Sequence, residues 1–125
     1  MNLDELERLL NKYCGYVADL EGSGVETFDL LFVRDRIQRA LDEGTPADPV
    51  PSELYRRLRH LDDQLWRQRR TFLAVVGERE IRQAREQQGS PRSHWWWYVD
   101  ELVGPTRRTA QVERFAIPVP APASA

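Results

Sequence analysis

His94-Trp95-Trp96-Trp97-Tyr98-Val99 sets three of the chain's four tryptophans side by side. Consecutive residues on an α-helix are about 100° apart, so three rings in a row sweep about 200°. A helix that packs on one side has an apolar stripe only somewhat wider than about 100°. Three rings therefore cannot share one helical face. By spacing, Trp95 aligns with Val99 and Leu102, Trp96 with Val99 and Val103, and Trp97 with Asp100 and Glu101, which favour water. On a strand, Trp95 and Trp97 would point one way and Trp96 and Tyr98 the other. Either geometry leaves an indole over, and Trp97 is the expected one. A flanking segment such as the C-terminal tail would cover it in a purely structural account. The functional account is a protein–protein interface, because Trp and Tyr are enriched among residues that dominate binding energy. A ligand pocket or a base-stacking platform would use the same rings. The contact surface expected here comprises Trp95, Trp96, Trp97 and Tyr98, with Trp97→Ala weakening partner binding at little cost in stability.

The rest of the chain is patterned for helices. Leu3, Leu6, Leu10, Tyr13, Val17 and Leu20 alternate spacings of three and four, which predicts an amphipathic helix over 3–20. Leu9, Cys14 and Tyr16 widen its stripe. Asn2 with Glu5 has the form of a capping box, and Gly22 is placed to end the helix in the left-handed conformation. Ser23 with Glu26 predicts a second capping box and a helix to about Glu43. Val25, Phe28, Leu31 and Phe32, then Leu30, Val33, Ile37 and Leu41, give that helix a wide apolar arc, with Asp35 and Arg39 as a surface pair four apart. The short turn between the two makes an antiparallel hairpin.

Thr45-Pro46-Ala47-Asp48-Pro49-Val50-Pro51 cannot be helical and predicts an extended connector. Ser52 is expected to cap a long helix in which Leu54, Leu58, Leu61, Leu65, Phe72 and Val75 are buried and Gln68 interrupts the line. Running to Gln88, it would span about 54 Å, twice the length of the first two helices, and Gly77 is the expected kink. Thr71–Val76 alone would also suit a strand, paired with Thr27–Val33. Pro91 suits the first turn of a fourth helix that carries the tryptophans and ends at Gly104-Pro105. The remaining segment is a proline-rich tail in which Val112, Phe115 and Ile117 are apolar enough to dock.

Charge and chemistry narrow the function. The net charge is −2, with twelve acidic and five basic residues among 1–53 against eight and thirteen among 54–125. An acidic half packing on a basic half is the favoured account; a nucleic-acid surface is the alternative. Ten arginines fall between Arg56 and Arg92, and Arg56, Arg59, Arg67 and Arg70 form a stripe that phosphates would recognise. Interleaved acids and an isoelectric point near 5.7 weigh against a dedicated nucleic-acid protein. His60 with Asp62 and Asp63 falls short of the three or four ligands a zinc site needs. His94 suits a polar helix start, although it would titrate near neutral pH at an interface. Cys14, the sole cysteine, fits a small core residue in a reducing compartment. Gly22-Ser23-Gly24 lacks the lysine of a phosphate loop.

The fold expected is all-α: a small antiparallel bundle of about four helices over residues 1–104, with an extended tail over 105–125. The function expected is a non-catalytic, cytoplasmic protein-interaction or regulatory module, binding another protein or itself as a homodimer. Neither metal nor cofactor nor membrane is expected, and an Arg-stripe nucleic-acid-binding protein is the alternative.

Overall fold

The computed structural model describes residues 2–22 and 24–102, all helix and connection with no strand among them. Helix α1 spans Leu3–Ala18, two residues short of the expected end, and buries Leu6, Leu9, Leu10, Tyr13 and Val17 as its spacing predicts, while Leu3 at the head of the stripe is exposed. Only half of the first capping box forms. Asn2 Oδ1 accepts the Glu5 N–H at 3.1 Å, while the Glu5 carboxylate turns to Arg8 at 2.6 Å. Cys14 is half-buried against the core.

Gly22 does not end the helix in the left-handed conformation: α1 is closed at Asp19, and the positive φ, 55°, falls at Gly24, the first residue of the next turn. Gly22 instead donates its N–H to Asp19 Oδ1 at 3.0 Å, so close that a Cβ would collide with that carboxylate. The next turn, Gly24–Phe28, is 3₁₀ rather than the start of an α-helix. Its buried Thr27 hydroxyl donates to the Leu20 carbonyl at 2.8 Å and ties the turn to the end of α1. Helix α2 follows at Asp29–Asp42. The proposed Ser23 cap lies outside the described residues, as do the tail and the Gly104-Pro105 boundary.

Helix α1 packs on both α2 and the next helix, α3 (Ser52–Arg67). Ser52 is not its cap: Pro51 holds that position, and no side chain caps the helix. The expected long helix is broken twice. Arg67 is followed by Gln68, then α4 (Arg69–Val76), then Gly77, then α5 (Glu78–Gln88). Gln68 leaves helical geometry and donates its side-chain amide to the Val17 carbonyl at 3.3 Å. Gly77, at φ 89° and ψ 130°, makes the second bend. A straight helix would have overshot partners of 14 and 16 residues. Folding back lets α4 cover the 3₁₀ turn and brings α5 beside the tryptophans. Thr71–Val76 is therefore helix, and the strand alternative is overturned. Gly89 closes α5 in the left-handed conformation.

A buried ion pair crosses the bundle. Arg34 of α2 donates through Nε and Nη2 to Asp62 of α3 at 3.0 and 3.1 Å. Tyr13 of α1 donates its hydroxyl to the same carboxylate at 2.7 Å. All three are at most 4% exposed. One bidentate pair thus links the three helices of the core, leaving little hydrogen-bonding capacity unused.

Candidate functional site

Beyond Gly89 the chain forms no further α-helix within the described residues, so the expected tryptophan-bearing helix is absent there. Trp95–Trp97 is a single 3₁₀ turn. No indole is left over: Trp95, Trp96 and Trp97 are 4%, 1% and 0% exposed. The expectation of a spare ring assumed an amphipathic element with one buried side. This turn is enclosed on several sides, and each ring meets a different neighbour. Trp95 packs edge-on against Trp66 of α3 at 6.1 Å. Trp96 is sandwiched, with the His94 ring stacked at 4.6 Å and the Arg34 guanidinium at 4.1 Å. Trp97 packs edge-on against Phe32 at 5.4 Å and Phe28 at 6.2 Å. Tyr98 is half-buried and donates its hydroxyl to the Ser90 carbonyl at 2.6 Å.

Asp35 organises this layer. Its Oδ1 accepts from Trp96 Nε1 at 2.8 Å, and both its oxygens accept from Trp97 Nε1 at 3.0 Å. Gln88 Nε2 donates to Oδ2 at 2.9 Å, and His94 Nδ1 stands 3.4 Å from Oδ1. The expected surface pair with Arg39 is thus not what Asp35 does. Its side chain is 16% exposed and is taken up by the indoles. Between α2 and the Gln88–His94 turn runs an open groove of about 250 Å³, walled by Asp35, Gln38, Asp42, Gln88 and His94.

Arg85 holds the turn from its other end. Its Nη1 donates to the Trp97 carbonyl at 2.8 Å and to Asp100 at 2.6 Å, and its guanidinium lies 4.6 Å from the centre of the Tyr98 ring. Burial pulls its pKa down, but Asp100, Glu101 and Tyr98 outweigh this and leave it above the ordinary arginine value.

The aromatic layer reaches the surface at α2. Phe28 is half-buried and Phe32 is 38% exposed, their rings 6.0 Å apart over Trp97. Lys12 and the Tyr16 hydroxyl reach Asp29 beside them, at 3.2 and 3.0 Å.

Of the arginine stripe, Arg56, Arg59 and Arg67 are exposed on α3, while Arg70 is exposed on α4, beyond the break at Gln68. Arg57 beside them hydrogen-bonds Asn11 of α1. Arg69 turns inward over the Trp66 ring at 4.1 Å, and burial, with Arg70 alongside, lowers its pKa. His60 is exposed, whereas Asp62 faces into the core toward Arg34, so the two do not share one face. Among the described residues no helix is long and apolar enough to cross a membrane.

Pattern alone gives Arg34 and Arg85 no role, sets Asp35 in a surface pair and sets Asp62 beside His60, whereas all four are paired beneath the surface. A signal existed for each. Arg34 falls four after Leu30 and three before Ile37, Asp35 four after Leu31, Asp62 four after Leu58 and three before Leu65, and Arg85 four after Ile81. A charge on an apolar line is either solvated at its edge or paired beneath the surface. Here each is paired beneath it. Compared with protein-family models, with curated proteins and with solved structures, the chain finds no match.

Proposed function

We propose that this chain is a non-catalytic protein-interaction module that binds through the aromatic strip of α2. The observation that carries this reading is Phe32, 38% exposed at the surface while its ring packs edge-on against fully buried Trp97. Trp97 is itself held by Asp35. An exposed aromatic on a fixed base has little freedom left to lose on binding, which favours affinity. Rigid aromatic anchors of this type recur among binding hot spots. In this reading Trp95, Trp96, Trp97 and Tyr98 serve the contact surface from beneath. The module would work in the cytoplasm, where a lone cysteine stays reduced.

Affinity capture from nuclease-treated native lysate tests this, comparing wild type with Phe32→Ala. A stoichiometric protein retained by wild type and lost by the variant, with the variant still folded at the assay temperature, is the expected result. Capture indifferent to Phe32 overturns the reading.

A second reading is favoured by the exposed side of α3, where Arg56 and Arg59 flank Tyr55, itself 45% exposed, and Arg67 stands about 18 Å further along the helix. Guanidiniums beside an aromatic ring suit a nucleic-acid strand. Binding to a labelled oligonucleotide would then fall steeply with salt and be lost when Arg56, Arg59, Arg67 and Arg70 become Gln.

A further inference from the structure

We propose that the partner of the α2 strip is a second copy of this chain, docked antiparallel about a two-fold axis beside Phe32. The inference rests on the reading of α2 as the contact surface. Along the outer side of the 3₁₀ turn and α2 the order is Glu26, Asp29, Phe32, Arg36 and Arg39. Spacings of three and four keep these residues on one side of a helix. Asp29 is half-buried and the other four are exposed. Along these five positions charge therefore changes sign across the aromatic ring, acidic from Glu26 to Asp29 and basic from Arg36 to Arg39.

Such a strip is complementary to itself when turned end for end. At a rise of about 1.5 Å per residue, Asp29 and Arg36 lie about 4.5 and 6 Å to either side of Phe32 along the axis. A two-fold axis there sets Phe32 against Phe32, Asp29 against Arg36, and Glu26 against Arg39, each charge pair occurring twice. That is an isologous interface, in which one patch serves both subunits. A parallel arrangement would set acid on acid and base on base. Lys12, 3.2 Å from Asp29, and Glu5 of α1, whose carboxyl feels the charge of Arg36, each take up part of the inner pair's charge, so Glu26 and Arg39 carry most of the register. Asp42 and Glu43 are exposed past Arg39, and Glu43 lines one groove with Arg36 and Arg39, which offsets part of the basic charge at that end. The apolar centre supplies the contact energy and the charges fix orientation.

Sedimentation equilibrium on the full chain tests this. Wild type is expected to show a reversible monomer–dimer equilibrium, reaching twice its 14.6 kDa. Phe32→Asp should weaken the dimer by at least about tenfold, as should the acidified double variant Arg36→Glu/Arg39→Glu. The basified variant Glu26→Arg/Asp29→Asn should also dimerise weakly. Mixing the acidified and basified chains should restore association to near the wild-type level, because acid again meets base across the axis. Rescue by mixing requires both variants to be folded, so it also answers the objection that they fail to fold. A wild type that stays monomeric up to roughly 1 mM overturns the inference. So does a dimer indifferent to Phe32 and the charge reversals, or one that mixing does not restore. A monomeric wild type that still captures a different protein through Phe32 overturns the self-pairing alone. A monomer whose captures ignore Phe32 overturns both.

Discussion

Trp97 Nε1 stands 3.0 Å from each carboxylate oxygen of Asp35, 62 residues away in sequence. The same carboxylate accepts from Trp96. Asp35→Ala leaves two indole N–H groups without their acceptor and is expected to cost about 2–4 kcal/mol. Asp35→Asn keeps one carbonyl oxygen and should cost less. Urea unfolding of the two variants checks this ranking; equal losses would show that shape, not the hydrogen bonds, matters at this position.

Arg34 and Asp62 are expected to be far more sensitive singly than together. Asp62→Ala strands a buried guanidinium and should cost about 3–5 kcal/mol, as should Arg34→Ala for the carboxylate. Arg34→Met with Asp62→Leu removes both charges and should recover most of that loss. A double-mutant cycle in guanidinium chloride checks it, and additive losses would refute coupling across the core.

Tyr16 predicts an alkaline limit. Burial, then the hydrogen bond to Asp29 and the charges of Asp29 and Glu26, raise its pKa above the ordinary tyrosine value. A group whose folded pKa is raised contributes stability below its unfolded pKa and loses it as pH rises through the folded value. Wild type should therefore lose stability above about pH 10, and Tyr16→Phe should lose less over the same range. Unfolding midpoints from about pH 9 to 11, compared between the two chains, read the difference.

Trp97 and Phe32 touch each other yet should behave as opposites. Trp97→Ala empties a fully buried site and is expected to cost about 3–5 kcal/mol. This reverses the expectation, drawn from helical spacing, that Trp97 is dispensable to the fold. Phe32→Ala should cost less, about 1–2 kcal/mol, since more than a third of the residue already faces water. Thermal unfolding of both variants distinguishes them.

Gly77 and Gly15 make a second contrast. Gly77→Ala forces a side chain into φ 89° and should cost about 1–3 kcal/mol. Its Cβ would also meet the Glu80 carboxylate, which can swing away. Gly15 lies inside α1 with open space where a Cβ would stand, so Gly15→Ala should stabilise by about 0.5–1 kcal/mol.

The helices were legible because their apolar spacing is regular. Leu6, Leu10, Tyr13 and Val17, and Leu54, Leu58, Leu61 and Leu65, are the buried lines that the sequence predicts. The bend at Gly77 was legible for the same reason, since an overlong helix had to break at its weakest residue. The bend at Gln68 was not, because what ends the helix there includes a hydrogen bond to Val17 on another helix. The tryptophan turn failed for a different reason. Periodicity describes an element that packs on one side, whereas Trp95, Trp96 and Trp97 each answer to a different neighbour. The expectation of a spare indole follows from the same assumption; the exposed aromatic rings among the described residues are instead Phe32 and Tyr55.

Because Asp35, Trp66 and Phe28 are covered by a turn that comes late in the chain, synthesis imposes an order on them. When Gln88 leaves the ribosome, all five helices are present but the tryptophans that roof them are not. The nascent chain at that length exposes apolar side chains and a carboxylate lacking its indole partners. Closure waits for the next nine residues, at about 5–20 residues per second. A pause in translation that holds Gln88 outside the ribosome and Trp97 still within it would lengthen the interval in which chaperones, or a neighbouring nascent copy, find that unroofed surface.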